Sequence, residues 1–515
     1  MNFTWIYGLG TVCALALATA LASGADRPQW GEAWSRNMTS PEQELPSEFD
    51  LTTGKNVKWT IDLGTESHAS PVIAGGRIYI GTNNGRPRDP KHQGDRGVLF
   101  CLDEATGKLL WQLVVPKRTE DIYFDWPKSG ICSPPSVEGD RVYLVSNRGE
   151  VMCLDAHGMA NGNQGPYQDE GEHMTPKSAE QKLEPGPLDA DILWLFDLTD
   201  GAGIWSHDAV HSSVLIHGDY LYLNTGTGVD NTHRKIRLPD APSLVVMDKR
   251  TGRLVARERE GIGPNIFHST WAAPSLGDVR GRPQLFFSAG NGIVYSFAMP
   301  APEQLAAAIE PLTLQRIWHF DFDPTAPKTN VHTFVGNRRE SPSDFFGLPV
   351  FHRGRLYVAG GGDIWWGKDQ AWIKCLRTDG EGDITDTGLV WSQPLEKHVL
   401  ATPAVGDGLV FIADCGGKLH CLDADTGDPV WQHDLGGEIW ASPLLADGKV
   451  YLGSRRGSFL VFKASREKQV LCTVSGLGPI SATATAANGV VYLATMKQLY
   501  ALAATPAAPS RAALP

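Results

Sequence analysis

The feature that most constrains this chain is a motif that recurs along it. In its clearest copy, residues 401–431, four short apolar runs are separated by turns that contain Gly or Asp. Period-two alternation between such turns is typical of antiparallel β-hairpins. A second copy follows at once, from Ala441. The pattern predicts a tandem array of four-stranded β-units.

The number of copies follows from the position of a proline in the first strand of each unit. This proline, or the residue that replaces it, occurs at Pro71, Pro134, Val214, Pro274, Pro349, Pro403, Pro443 and Thr483. The eighth unit stops after its third strand, whereas Asp50–Trp59 repeats the turn and fourth strand of Asp103–Trp111. We therefore predict an all-β, eight-bladed β-propeller of four-stranded blades, in which the N-terminal strand at residues 57–63 completes the last blade and leaves no free sheet edge.

Two turns carry a more specific signature. Asp103–Trp111 and Asp423–Trp431 both read Asp-x-x-Thr-Gly-x-x-x-Trp. This motif resembles the tryptophan-docking motif of the pyrroloquinoline quinone (PQQ)-binding-like repeats found in quinoprotein alcohol dehydrogenases. The resemblance covers nearly all of the chain after residue 25 and implies that each Trp wedges between adjacent blades. It says little about activity, because the same repeats occur in enzymes and in scaffolds.

The ends of the chain indicate an exported protein. Residues 3–22 form an uncharged apolar run that small residues follow, which predicts a signal peptide at residues 1–25. A retained membrane anchor is the alternative. We assign residues 26–505 to one propeller, expected as a monomer in the periplasm or outside the cell, and residues 506–515 to a disordered tail.

Charge and cysteine usage exclude some classes of partner and cross-link. The formal net charge is -12 and no basic stripe is present, so nucleic acid is excluded as a partner. Four cysteines fall at one position of four repeats: Cys101, Cys153, Cys375 and Cys421. We interpret them as small buried residues, because equivalent positions on separate blades lie too far apart for a disulfide.

The long insertions favour one face of the propeller. The loop between the second and third strands of a blade lies on the same face as the connection to the next blade. Insertions on that face are 83–97, 116–130, 199–210, 226–242, 323–346 and 360–371. Loops gathered on a rigid scaffold are where binding sites usually occur. We therefore predict a loop-built pocket over blades 1 to 5.

The candidate ligand-binding residues are the histidines, tryptophans and polar side chains of this face. They are His68, Trp205, His207, His211, Asp230, Asn231, His233, His268, Trp271, Arg338, Asp363, Trp365, Trp366 and Trp440. Trp365 and Trp366 are adjacent, and exposed tryptophans beside carboxylates suit a carbohydrate or polyol, whose C–H groups stack on the indole. The alternative is that this pair packs its loop onto the propeller.

The mouth of the central channel is predicted from the residue three positions before each proline marker. These residues are His68, Ile131, His211, Trp271, Phe346, Leu400, Trp440 and Ile480. Two interpretations remain open: the ring plugs the channel, or it forms an apolar floor beneath a ligand. His68 and His211 have no accompanying carboxylate, so we predict no metal site.

The resemblance also implies a dehydrogenase that uses PQQ and calcium, but three features differ. No two cysteines are adjacent, Thr227 stands where the family's calcium-binding Asn is expected, and His268 stands where its catalytic Asp is expected. We therefore predict no cofactor, leave catalytic residues unassigned, and expect a ligand-binding protein or a scaffold for envelope proteins. A PQQ-dependent dehydrogenase that oxidises an alcohol or sugar is the alternative.

Overall fold

The computed structural model describes residues 25–208 and 211–504. Nearly all of the predicted signal peptide and the whole predicted tail lie outside these residues. The described strands form eight antiparallel sheets, each a blade of the predicted β-propeller. Two strands precede the first blade: β1 (Thr39–Ser40) and β2 (Val57–Asp62).

The first four blades occupy the N-terminal half of the chain. Blade 1 contains β3 (Val72–Ala74), β4 (Arg77–Asn83), β5 (Arg96–Asp103) and β6 (Leu109–Pro116). Blade 2 contains β7 (Ser136–Glu138), β8 (Arg141–Val145), β9 (Glu150–Asp155) and β10 (Ile192–Asp197). Blade 3 contains β11 (Leu215–His217), β12 (Tyr220–Asn224), β13 (Leu244–Asp248) and β14 (Leu254–Arg257). Blade 4 contains β15 (Ser275–Val279), β16 (Arg282–Ser288), β17 (Ile293–Ala298) and β19 (Arg316–Asp321). The short strand β18 (Leu312–Thr313), which precedes β19 in the chain, pairs with blade 3.

The remaining blades follow in chain order. Blade 5 contains β20 (Ser343–Asp344), β21 (Val350–His352), β22 (Arg355–Gly362), β23 (Ala371–Arg377) and β25 (Leu389–Leu395). The short strand β24 (Gly382–Asp383), which precedes β25 in the chain, pairs with blade 4. Blade 6 contains β26 (Ala404–Gly406), β27 (Leu409–Ala413), β28 (Lys418–Asp423) and β29 (Pro429–Asp434). Blade 7 contains β30 (Leu444–Ala446), β31 (Lys449–Gly453), β32 (Phe459–Lys463) and β33 (Val470–Val474). Blade 8 contains β34 (Thr485–Ala487), β35 (Val490–Ala494) and β36 (Gln498–Ala503).

The ring closes as the repeat pattern predicts. β2 pairs antiparallel with β36, from Val57 opposite Leu502 to Asp62 opposite Gln498. The fourth strand of blade 8 therefore comes from the other end of the chain. Because blade 8 then has four antiparallel strands, the closure prediction is confirmed.

Helical structure is confined to short segments between strands. The α-helices are α1 (Glu170–Met174), α2 (Leu198–Ala202) and α3 (Pro302–Ala307), and the 3-10 turns are Gly158–Asn161, Gly263–Asn265 and Val331–Phe334. Within the described ranges, no helix has the length and apolar character needed to cross a membrane.

Tryptophans of the fourth strands join neighbouring blades, as the docking motif predicts. The indole nitrogen of Trp111 in blade 1 donates to the carbonyl of Ala156 in blade 2, and that of Trp391 in blade 5 donates to Ala424 in blade 6. Trp391 packs where a Cβ at Gly427 would lie, 2.5 Å from the indole. Because Gly427 also has a φ of +77°, the Thr-Gly turn requires glycine for both conformation and space.

The four equivalent cysteines also have the same surroundings in their four blades. Cys101, Cys153, Cys375 and Cys421 are buried, and each lies opposite an aromatic residue of the neighbouring strand. All seven cysteines of the described ranges are unpaired. Their interpretation as small buried residues therefore agrees with the structure.

A feature that the sequence did not reveal is the path of residues 25–49, which we call the N-terminal segment. It hydrogen-bonds to the first strand of blade after blade: Arg27 to Ile73, Pro28 to Val137, Trp34 to Ile216 and Leu276, Ser35 to Phe351, Asn37 to Val405, Met38 to Leu445, and Ser40 to Ala486. These contacts include all eight blades. The segment therefore runs round the inner rim and closes that end of the channel.

Arg36 fixes this closure. Its side chain is fully buried, and its guanidinium donates to the carbonyls of Trp30, Ser213 and Pro274. Burial lowers the pKa of Arg36 to about 9, which leaves the group charged at neutral pH. Loss of the guanidinium, or of one of its three acceptors, would lower the stability of the fold, because the remaining polar groups would stay buried without a partner.

Candidate functional site

The other end of the channel holds a cavity of about 540 Å³. Six residues of the predicted ring line it: His68, His211, Trp271, Phe346, Leu400 and Trp440. Ile131 and Ile480 are fully buried behind the wall. Of the two interpretations, the structure therefore favours a floor beneath an open space over a complete plug. Trp30 of the N-terminal segment also lines the cavity.

Aromatic side chains from the loops build the cavity walls. Tyr123 and Trp126 come from the loop between β6 and β7, and Trp365 and Trp366 from the loop between β22 and β23. Trp365 is 41% exposed and Trp366 is 36% exposed, so neither indole is buried by packing. Trp365 meets Trp271 edge-on, with ring centroids 5.8 Å apart. The two loop tryptophans therefore present aromatic surface to the cavity.

The Trp365–Trp366 loop is held from behind by two polar groups. Asp363 is fully buried, and one of its carboxylate oxygens accepts hydrogen bonds from the backbone amides of Trp365 and Trp366 at 2.9 and 2.6 Å. Arg338 donates to the carbonyls of Ile364, Trp365 and Gly367. Asp363 and Arg338, expected as ligand-binding residues, thus shape the loop instead.

Beside the cavity, three histidines and one aspartate meet in what we call the histidine cluster: His207, Asp208, His233 and His268. One ligand atom from each lies within 4.8 Å of the others. The residues come from three connections: β10 to β11, β12 to β13, and β14 to β15. The predicted loop face therefore does gather distant histidines, and it adds an aspartate that the sequence analysis did not single out.

A short backbone ladder explains why these loops meet. Isolated antiparallel bridges link Ser206 to Thr227 and Gly228 to Ser269, so the segment after β12 lies between the other two. A Cβ at Gly228 would meet the carbonyl oxygen of His268 at 2.6 Å and Cβ of His207 at 2.8 Å. Glycine at this position is therefore needed for the two histidine-bearing loops to come together.

The distances inside the cluster are short. Nε2 of His207 lies 2.9 Å from Nε2 of His233 and 3.8 Å from Oδ1 of Asp208. Nε2 of His268 lies 3.1 Å from Oδ2 of Asp208. All three histidines are nearly buried, whereas Asp208 and His233 also line the cavity. The cluster thus forms part of the cavity wall.

Asp363 orients His268 from the far side. Its second carboxylate oxygen lies 2.8 Å from Nδ1 of His268. Burial alone would lower the pKa of His268, but the charges of Asp363 and Asp208 outweigh it and raise that pKa to about 10. Burial and the cationic His268 in turn lower the pKa of His207 to about 3. Without a bound ion, the cluster therefore holds its proton on His268.

The cavity histidines outside the cluster are neutral. Burial, and then repulsion from His211, lower the pKa of His68 to about 3, and burial lowers the pKa of His211 to about 4. His68 stacks on Trp440 with ring centroids 6.2 Å apart. These two rings therefore offer hydrogen bonds without charge.

Three further candidates lie away from the cavity wall. The indole nitrogen of Trp205 donates to Asp121, and its ring is covered by the guanidinium of Arg237 at 4.8 Å. Asp230 accepts hydrogen bonds within its own turn, from Thr232. Asn231 accepts from Arg237. These side chains hold the loops of the site rather than line its space.

Sequence reasoning missed three residues at the site. Asp208 follows His207 directly, and a His-Asp pair inside an insertion was the available signal. Tyr123 stacks on His207 with an interplanar angle of 6°, and Trp30 comes from a segment without any repeat pattern. Nothing in the local sequence around Trp30 points to the channel.

The residues present do not fit the PQQ and calcium site of the dehydrogenases. Ca²⁺ takes six to eight oxygen ligands. Where the resemblance implies this ion, Thr227 is fully buried, and the ligand atoms that gather beside this segment are those of His207, Asp208, His233 and His268. A donor set rich in imidazole suits transition metals instead.

The chain is similar in sequence to known proteins built from the same repeats. A family model described as outer membrane protein assembly factor BamB matches residues 41–300 and 382–470. The quinohemoprotein alcohol dehydrogenase of Comamonas testosteroni is 29% identical over 119 residues, which are 20% of this chain and 17% of that enzyme. Quinohemoprotein alcohol dehydrogenase ADH IIB of Pseudomonas putida is 22% identical over 388 residues, 71% of this chain and 49% of that enzyme.

The solved structures agree on the fold. The crystal structure of BamB from Moraxella catarrhalis superimposes with a TM-score of 0.53 and 12% sequence identity, over 87% of this chain and 99% of that one. The chain spans about half or less of the length of the two dehydrogenases. These likenesses concern the repeats and their arrangement. The chain belongs to the PQQ-like repeat family whose model is described as outer membrane protein assembly factor BamB.

Proposed function

We propose that this protein is an exported propeller that binds a carbohydrate or polyol in its axial cavity. The observation that carries the proposal is the lining of the 540 Å³ space by broad indole surface together with a few polar groups. A pocket of this size takes a small organic molecule. Indole faces stack on the C–H groups of sugar rings.

Apart from the carboxylate of Asp208, the polar groups of the lining suit an uncharged ligand. His68 and His211 are neutral because their pKa values are low. Glu66 also lines the cavity, and burial raises its pKa. Neutral imidazoles both donate and accept hydrogen bonds, as hydroxyl groups do. The wall thus matches alternating hydroxyl and C–H surface.

The test is ligand-induced stabilisation. We expect a panel of mono- and disaccharides and polyols to contain at least one compound that raises the melting temperature, because a ligand at 100 times its Kd stabilises the folded state by about 2.7 kcal/mol. The double variant Trp365→Ala/Trp366→Ala should lose this shift. Trp34→Ala removes an exposed tryptophan of the N-terminal segment and should retain it.

Two other functions have tests of their own. An absorption band and dye-linked alcohol oxidation after addition of PQQ and calcium would establish the dehydrogenase alternative. Specific co-purification with envelope proteins, without any response to the panel, would establish a scaffold. A shift that persists in the double variant would place the ligand elsewhere and contradict the cavity proposal.

A further inference from the structure

We propose that His207, Asp208, His233 and His268 bind one divalent first-row transition metal ion, such as Zn²⁺, in the wall of the cavity. The proposal goes beyond carbohydrate binding and does not depend on it. Three imidazoles and one carboxylate are the ligand types that such ions take in proteins. None of the four residues was predicted as a metal ligand from the sequence.

The spacing of the ligand atoms fits one ion. Imidazole nitrogens bind Zn²⁺ at about 2.0–2.1 Å, so two ligands of one ion lie about 2.8–3.4 Å apart for angles between 90° and tetrahedral. The separations are 2.9 Å for His207–His233, 3.1 Å for His268–Asp208 and 3.8 Å for His207–Asp208. Small side-chain adjustments would place an ion within reach of all four.

A hydrogen-bond network alone accounts poorly for the same contacts. Nε2 of His268 is 3.1 Å from Asp208 but not aligned with it, and it has no hydrogen-bond partner among the described residues. Oδ1 of Asp208 likewise has none within those ranges. Buried polar atoms are ordinarily paired. A metal ion that displaced the proton from Nε2 of His268 would pair with both atoms.

The surroundings of His268 support the same assignment. Asp363 accepts from Nδ1 of His268 at 2.8 Å and is itself fixed by the amides of Trp365 and Trp366. Metal-binding histidines commonly donate their other ring nitrogen to a carboxylate, which fixes the tautomer and leaves Nε2 for the ion. The arrangement holds Nε2 of His268 towards Asp208.

Two of the ligands have left-handed backbone, with a φ of +59° at Asp208 and of +58° at His233. Asp and His adopt this region more readily than most residues with a Cβ. Their ligand atoms approach the same point from different loops.

The ion would be accessible from the cavity. Asp208 is 22% exposed in its side chain and lines the cavity together with His233, whereas His207 and His268 lie behind them. An ion held by the four residues could take a fifth ligand from the cavity side. The oxygen of a water molecule or of a bound hydroxyl compound would reach it there.

The experiment is a metal titration of the chelator-stripped full chain. We expect one Zn²⁺ per chain by calorimetry, and ligand-field absorption with Co²⁺ that is typical of nitrogen and oxygen ligands. Asp208→Asn and His268→Gln should each lower the affinity at least 100-fold. Asp363→Asn should lower it 10- to 100-fold and shift the Co²⁺ spectrum, because Asp363 acts through His268.

The controls separate binding from folding. His319→Ala removes a half-buried histidine that also lies near a carboxylate, Asp383 at 3.6 Å, and the affinity of this variant should stay within twofold of the parent. Melting curves in chelator show whether each variant folds. Absence of stoichiometric Zn²⁺ and Co²⁺ binding, unchanged affinity in both Asp208→Asn and His268→Gln, or displacement by millimolar Ca²⁺ would overturn the proposal. None of these outcomes decides carbohydrate binding, which the tryptophan variants test in metal-free protein.

Discussion

The two ends of the channel are built differently. At the closed end, the N-terminal segment hydrogen-bonds to all eight blades, and the guanidinium of Arg36 donates to three backbone carbonyls. At the open end, exposed indoles line a cavity beside the histidine cluster. The comparison teaches that pairing with the blades closes one end of this ring, whereas the loops of the other end leave room for a ligand.

The sharpest way to break this comparison is to remove the cation of the closed end. Arg36→Met keeps an unbranched side chain but leaves the carbonyls of Trp30, Ser213 and Pro274 without their donor. We expect the free energy of unfolding to fall by about 3–5 kcal/mol, measured by urea denaturation. A loss below about 1 kcal/mol would show that the closed end is not held by this group.

A second test uses pH, because the open end carries two histidines whose pKa is strongly lowered by burial. The folded pKa values of His68 and His211, about 3 and about 4, lie below their value of 6.5 in an unfolded chain. The unfolded state therefore binds more protons, so stability is full above pH 6.5 and is lost as the pH falls towards 4 and 3. We expect a loss of at most about 2 kcal/mol per histidine at pH 5.

The matched variant for this pH test is His68→Gln/His211→Gln in the metal-free protein. Its stability should change less between pH 7 and pH 5 than that of the parent, measured by urea denaturation at each pH. Arg36 stays charged over that range and adds no such slope. His217 and His352 lie beside the N-terminal segment and also have lowered pKa values, but they contribute equally to the parent and the variant. Equal slopes in the two proteins would contradict the assignment of neutral histidines to the cavity.

A third test separates the two histidine-bearing loops of the open end. In Gly228→Ala the new methyl group meets backbone of His268 and Cβ of His207. We expect a loss of about 1–3 kcal/mol in stability from overpacking, together with loss of metal binding. Gly186→Ala, where a Cβ would meet nothing closer than 3.7 Å, is the control and should change neither quantity.

The smallest effect on stability is expected at the ligand surface. Trp366→Ala removes a side chain that is already 36% exposed, so we expect the melting temperature to change little and the free energy of unfolding by about 1 kcal/mol or less. The ligand-induced shift should be lost. Strong destabilisation would instead support the view that this tryptophan packs its loop onto the propeller.

The architecture could be predicted from the sequence because each blade is encoded by a local sequence repeat. The strand pattern, the Thr-Gly turns and the trailing Asp50–Trp59 copy determine the blades and the closing strand without any long-range information. The predicted face was also found to carry the cavity, since loop position follows directly from strand order.

The site itself could be predicted only in part. His207, His233 and His268 were candidates, but their meeting depends on the ladder around Gly228, which joins residues distant in sequence. Asp230 and Asn231 looked equally suitable and are used within their own loop. Asp208 and Trp30 were missed because their roles arise only when separate loops and blades come together.

The route of the N-terminal segment has a consequence for the order in which the molecule matures. Residues 25–49 are synthesised before all eight blades, yet their docking positions extend to Ala486, and β2 pairs with β36 of the last blade. The N-terminal segment therefore has no complete docking surface until nearly all of the blades have been made. The ring can close only late in synthesis.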